Sequence, residues 1–350
     1  MRVLVVVPDT AGCGAERQAF LHMSVLCNEG HVLSCVCTEG SWIAAQCKRT
    51  GVACEPRRSA TGWLDSFAMS RFAKAQAVDV VIAYGEEGAR VGSKVAKSCA
   101  ADAYAVVFDE VDSRFLKGLD GVFATSQSLC ASLETRCDAQ VAYLPPAVPD
   151  LRDQFQDRRA SERERLRLDK HHIAVCVPGP LHPHLGQEVA LEVLEQLGGQ
   201  QLRLFILGSY QHEYGKELRL LAAQNSAGAG SMIGQPADAG VFTAFDICLA
   251  PFQAGHAAQH ALTAMSFGLP LVASPMGALQ DMVTPGSNGY LATSGSAQSV
   301  AEALLVTLDE GIELRTMGQR SRKMFKAQFT LRHMARSLTS LVQEPSANEA

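Results

Sequence analysis

No apolar run in this sequence approaches the roughly 18 residues that a membrane span requires, so no transmembrane helix is expected. A basic excess is missing too. Lys and Arg number 31 against 36 Asp and Glu, a net charge of −5, which excludes the usual footprint of a nucleic-acid-binding domain. Among the eleven cysteines there is no CxxC pair. They stand mostly alone (Cys27, Cys99, Cys130, Cys176, Cys248), and Cys35 and Cys37 share one strand face without being bonded, so reduced, partly buried thiols in a cytosolic protein are expected. The opening residues MRVLVVVPDTAG lack the apolar core and small-residue cleavage site of a secretory leader and read as a first β-strand. No internal repeat or low-complexity tract is visible.

What the chain does contain is an ordinary globular composition, 47% hydrophobic and 19% charged, in 350 residues, enough for two α/β domains with separate cores. Short apolar strands alternate with helices in both halves. RVLVVVP, HVLSCVC, GVACEP, DVVIAY, AYAVVFD and GVFATS read as strands of the first, and HIAVCVPG, LRLFILG, SMIG and FDICLAP as strands of the second. Repeated βα alternation implies parallel sheets. Between the halves, Pro145 to Lys170 begins with three prolines and continues as a mixed-charge run, read as a connection followed by a solvated helix.

The richest stretch is 262–291, LTAMSFGLPLVASPMGALQDMVTPGSNGYL. A small-residue helix is stopped by Gly268, Leu271 to Ala273 form a buried strand, and a glycine loop with Gly277 follows at the strand's carboxyl end, where open α/β sheets bind ligands. This segment resembles the nucleotide-sugar half of a family 4 glycosyltransferase, whose pattern is roughly LEAMAxGxPVVAxxxGGxxExVxxGxxG. The resemblance extends over nearly the whole chain and is strongest from about 172 to 330. It implies a GT-B fold: two Rossmann-like domains with parallel sheets facing across a cleft. The expected bounds are 1–150 for an acceptor-side domain, 151–328 for a nucleotide-sugar-side domain, and 329–350 for a helix returning toward the first domain, then a tail.

The candidate site residues follow from that resemblance. Asp9 to Arg17 forms a glycine loop between the first strand and helix, with Cys13-Gly14-Ala15-Glu16 where the family has GGAE, so Gly12 and Gly14 are candidates for approaching donor phosphates. A tight strand-to-helix turn explains those glycines equally well. Asp109 and Glu110, at the end of AYAVVFD, are candidates for binding sugar hydroxyls or acting as a base, and Asp112 for capping a helix. On the donor side, Gly179, Gly234 and Gly277 match backbone positions of the family.

The ionic groups depart from the pattern. In the family's GRLxPEKG loop Pro180 stands for the arginine and Leu185 for the lysine, while Gly255 and Thr263 stand for its two glutamates. Metal-independent transfer needs cations or N–H dipoles on the leaving diphosphate, and losing one preorganised donor typically costs about 10²–10³ in rate. Histidines offer a replacement: His182 and His184 in the loop, and His256 and His260, expected one turn apart on one helix with Thr263 on the same side. An adjacent diphosphate raises an imidazole's pKa and favours its cationic form. Zinc on the His-x3-His pair and polar residues left in a disused cleft are the competing explanations.

Two functional readings stay open. One is a glycosyltransferase moving a sugar from a nucleotide-diphosphate sugar to a glycan, lipid or protein acceptor through an atypical donor site. The other is an inactive glycosyltransferase-like scaffold or partner subunit of an active enzyme. No cofactor and no metal are expected to be required, no nucleic acid is expected as a partner, and another glycosyltransferase is a candidate partner. The expected location is cytoplasmic, including the inner face of the membrane as a peripheral site.

Overall fold

The computed structural model describes residues 1–8, 14–58, 63–197, 201–209, 211–224, 231–234, 236–309 and 314–343. The chain divides into two compact units, one of Met1–Ala147 with the chain's last segment from Leu331, the other of Val148–Thr330. Each unit is an α/β layer structure.

In the first unit the elements run β1 (Arg2–Val7), α1 (Ala15–Asn28), β2 (Val32–Thr38), α2 (Trp42–Thr50), β3 (Ala53–Arg57), α3 (Trp63–Ala75), β4 (Val80–Tyr84), α4 (Gly85–Cys99), β5 (Asp102–Val107), β6 (Gly121–Ala124), α5 (Gln127–Glu134) and β7 (Gln140–Tyr143). The seven strands are parallel in the order β3-β2-β1-β4-β5-β6-β7. Side chains of a strand alternate between faces, and here both faces are covered. Val3, Val5 and Val7 pack with Ala19, Met23 and Leu26 of α1, whereas Leu4 and Val6 pack with Met69 of α3 and Ala89 of α4. That two-sided burial is why VLVVV, after the exposed Arg2, is apolar and does not alternate.

The second unit runs α6 (Arg159–Arg165), β8 (Ile173–Val177), α7 (Gln187–Leu197), β9 (Leu202–Leu207), α8 (Glu213–Gln224), β10 (Ser231–Gly234), β11 (Ile247–Ala250), α9 (Ala258–Phe267), β12 (Leu271–Ala273), α10 (Leu279–Met282), β13 (Gly289–Leu291), α11 (Ala297–Asp309) and α12 (Leu314–Gln328). Its six parallel strands follow the order β10-β9-β8-β11-β12-β13. Counted from its own first strand this is 3-2-1-4-5-6, the same order as in the first unit and that of dinucleotide-binding sheets. One face carries α7 and α11 through Leu191, Leu194, Val300 and Leu304; the other carries α9 and α12 through Ala261, Met265 and Phe325. Gly268 closes α9 in the left-handed conformation, φ 84°, with its N–H on Met265 O. The final helix, α13 (Leu331–Gln343), returns Met334 and Leu338 to the core of the first unit.

One expectation fails in part. The mixed-charge run is not simply a solvated face. Glu162 of α6 is 4% exposed and takes ion pairs from Arg158 and, at 2.7 Å, from Arg165. Arg159 and Arg163 both reach Asp246, at 2.6 and 3.0 Å, and Asp246 also accepts the Ala174 N–H at 2.9 Å. The guanidinium groups bind α6 to the amino ends of β8 and β11. Burial of these charges is tolerable because each is paired.

Candidate functional site

Strand order places one position apart from the rest in each sheet. In the second unit β8 is flanked by β9 and β11, and the chain leaves β8 toward one side and enters β11 from the other. Loops at the carboxyl ends of such a pair diverge and open a crevice. Here the loops are 178–186 after β8 and 251–257 after β11.

The loop after β8 is held by small residues and backbone bonds. Gly179 has φ +122°, and a Cβ on it would lie 3.1 Å from Leu185 Cδ1 and 3.2 Å from the Cγ of His260. The His260 ring of α9 is therefore packed against the loop's backbone. His182 begins a 3-10 turn over Pro183–Leu185, and its Nδ1 accepts the His184 N–H at 3.3 Å. The two imidazole rings lie 5.0 Å apart. Gly186 ends the turn at φ +62°, with Pro251 O only 2.1 Å from where a Cβ would stand. The Gln253 N–H donates to His184 O at 2.9 Å, so the two diverging loops are joined directly. Fully buried Gln187 donates from Nε2 to Pro180 O at 2.9 Å and accepts from Tyr214. Gly208, at the end of β9, lies against Leu181, whose backbone nitrogen would be 2.9 Å from a Cβ there. The Gly208 N–H donates to Gly234 O at 2.9 Å.

The sequence-derived candidates sort accordingly. Gly179 and His260 come together where α9 meets the loop, while His182 and His184 lie against each other further along the same loop. The placement of two others needs correcting. Gly255 and His256 do not belong to the long helix but to a 3-10 turn, Gly255–Ala257, that precedes α9. His260 is in α9 itself and nearly buried, and Thr263, also in α9, is half-buried. Gly277, φ 46°, follows β12 in the neighbouring loop, with the Met276 N–H donating to Ser274 O at 2.8 Å. Among the described residues, no group of three or more His, Cys, Asp or Glu ligands includes these histidines. Leu185 is fully buried with Ala257 and Ala261 in the apolar core. That position faces inward.

Cations gather elsewhere. A cavity of about 550 Å³ lies at the amino ends of β11 and β12, lined by Arg152, Arg159, Asp246, Phe267 and Gly268 among others. It is on the opposite edge of the sheet from the histidine loop.

Residues 158–324 match the family model described as glycosyl transferases group 1. The match contains the whole histidine loop, α9 and Gly277. No curated protein matches the chain. Among solved structures, a glycosyltransferase from Rickettsia africae ESF-5 shares 15% identity over 98% of this chain and 99% of its own, with a TM-score of 0.80. Anabaena HepE, in complex with UDP and glucose, shares 15% over 99% and 100%, TM-score 0.78. Sucrose-phosphate synthase from Thermosynechococcus elongatus shares 17% over 98% of both chains, TM-score 0.78. The chain has the GT-B fold. Identities this low carry the fold and no more.

The first unit has the same switch point, between β1 and β4. Gly12 lies outside the described residues, and Gly14 starts α1. Glu110 is exposed and ion-paired with Arg136 at 2.6 Å, so its carboxylate is engaged at the surface. Asp109, half-buried, directly precedes it. Asp112 accepts the Arg114 N–H at 2.9 Å and caps a 3-10 turn over Ser113–Leu116. Sequence reasoning missed one pair there. His22 of α1 and Tyr84 at the end of β4 are both buried, with Nδ1 and Oη 2.6 Å apart. Burial pushes the His22 pKa down to about 3, so the ring is neutral. A histidine on an apolar helix face was the available signal.

Proposed function

We propose that this protein is a family 4-like glycosyltransferase that takes a nucleotide-diphosphate sugar at the carboxyl ends of β8, β9 and β12, with the diphosphate on the loop of Gly179 to Gly186. The observation that carries this reading is the packing of His260 against the Gly179 backbone, which joins α9 to the loop that also carries His182 and His184. HepE, to which the chain is similar, is in complex with UDP and glucose, which supports the nucleotide class.

Breaking the sugar–phosphate bond leaves negative charge on the diphosphate. Backbone N–H groups of the loop and ring N–H groups of His182, through Nε2, and of His184 stabilise that charge in place of the arginine and lysine, and no metal is required. An imidazole N–H is a weaker donor than guanidinium, so slow turnover is expected. By the same resemblance the first unit takes the acceptor, a glycan, lipid or protein.

Leu185 favours a second reading. Its side chain fills the core where the family has a cation, and Pro180, Gly255 and Thr263 are likewise uncharged. That is the pattern of a catalytically inactive glycosyltransferase-like scaffold or partner subunit of an active enzyme.

A thermal-shift panel with UDP, GDP, ADP and their sugars decides whether the site binds, and sugar-nucleotide hydrolysis by purified protein decides between the readings. Stabilisation that disappears in the His182→Ala, His184→Ala double variant supports the site. Hydrolysis lost in the same variant establishes the enzyme. Stabilisation without hydrolysis leaves the inactive reading, and no shift with any nucleotide favours a scaffold or partner subunit over the enzyme.

A further inference from the structure

Three cysteines of the first unit, Cys35, Cys47 and Cys54, converge on one point beneath α2, and a fourth, Cys37, lies next to one of them. Cys35 and Cys37 are two residues apart on β2 and face the same side of the sheet. Cys54 on β3 is the ladder partner of Cys35. Cys47 descends from α2. The Sγ atoms of Cys35, Cys47 and Cys54 all lie within 4.8 Å of one another. Cys37 Sγ is 3.5 Å from Cys54 Sγ. Cys35, Cys37 and Cys47 are fully buried, and Cys54 is half-buried, which leaves one side open to solvent.

The spacing discriminates between chemistries. Four thiolates around Zn²⁺, with bonds of about 2.3 Å at tetrahedral angles, stand about 3.8 Å apart. Sulfurs joined in a disulfide stand about 2.05 Å apart and come in pairs, which leaves no reason for a third and fourth to converge. Thiols acting only as small apolar filler need not share a point either. Here three separate elements deliver their sulfurs to one place.

We propose that Cys35, Cys47 and Cys54 form a thiolate site for a d10 cation, Zn²⁺ foremost, with Cys37, whose Sγ is 3.5 Å from that of Cys54, as the adjacent sulfur for the fourth position. On binding, the thiols that are protonated release their protons to solvent and each sulfur donates a lone pair; nothing is oxidised or reduced. The surroundings agree, because the clamped strand needs help. β3 is the edge strand of its sheet, and none of its five residues is fully buried. An edge strand with so little apolar burial is weakly held, and a metal bridging β2, α2 and β3 fixes it.

The test uses the whole reduced chain, stripped with a chelator, and Co²⁺ alone as the probe. About one equivalent should bind and give the intense sulfur-to-cobalt charge-transfer absorption of a tetrahedral thiolate site, and Zn²⁺ should displace it. Cys54→Ser, at the half-exposed position, and Cys47→Ser should lose that absorption, while Cys99→Ser, outside the cluster, should keep it. Zn²⁺ should raise the melting temperature of the stripped wild type and of Cys99→Ser, but not of Cys54→Ser. No cobalt uptake by the fully reduced chain overturns the proposal. So does equal uptake by wild type and Cys54→Ser, and so does a thiol count in denaturant below the eleven of the sequence.

Discussion

Replacing Gly186 by alanine should unfasten the two loops that meet at the switch point of the second sheet. The residue sits at φ +62°, and the new Cβ would be 2.1 Å from Pro251 O and 2.9 Å from its carbonyl carbon. A side chain in the left-handed region costs about 1–2 kcal/mol. Backbone cannot swing aside as a side chain can, and forced repacking of this kind adds about 1–3 kcal/mol. The sum, about 2–5 kcal/mol, corresponds to a melting temperature lower by about 4–20 °C for a unit of this size. Gly234→Ala is the matched control. Nothing lies within 4 Å of a Cβ there, so its effect should stay within about 0.5 kcal/mol. Scanning calorimetry of the two variants reads the difference. The geometry also ties Gln253 N–H to His184 O, so nucleotide-dependent stabilisation should weaken in Gly186→Ala. Equal melting temperatures for the two variants would refute the claim that these loops are locked together through Gly186.

Three further outcomes are expected. Asp246→Ala removes the acceptor of Arg159, Arg163 and the Ala174 N–H, and should cost about 2–4 kcal/mol in urea unfolding; being at the amino ends of the strands, it should leave nucleotide binding unchanged. His22 is buried neutral, with its folded pKa lowered to about 3 from 6.5. The unfolded chain therefore binds the extra proton first, and stability present above the unfolded value is lost as pH falls toward the folded one. Wild type should lose about 2 kcal/mol more than His22→Gln between pH 7 and pH 5, read from denaturant curves at both values. Leu185→Ala should cost about 2–5 kcal/mol because it empties a fully buried site, whereas an outward-facing position would tolerate the change.

Much of the architecture was legible because both sheets are covered on both faces. Runs such as VVIAY and LRLFIL need no partner to be read as buried strands, and Gly268 marks its helix end by conformation alone. Elements whose burial is one-sided were harder. α2 buries only Ile43 and Cys47 along one side, although Ser41, which accepts the Ala44 N–H, was a visible cap. β7 is short and half-exposed. The charged segment 159–165 misled because its burial depends on Asp238 and Asp246, some eighty residues further on. Spacing rules do not register pairs of that separation. The same limit hid the cysteine cluster, whose members come from two strands and a helix and show no ligand spacing. The histidine loop was legible through its resemblance, since loops carry no periodicity, and the inward direction of Leu185 emerged only from packing.

The central claim is that the loop after β8 and the histidines packed around it bind a nucleoside diphosphate. Isothermal titration of UDP and UDP-glucose into wild type and into the His182→Ala, His184→Ala double variant, with Asp246→Asn as a fold control, tests it directly. The account predicts saturable binding to wild type and the control, and affinity at least about 10-fold weaker in the double variant, a loss of about 1.4 kcal/mol or more. Unchanged affinity in a folded double variant would contradict it.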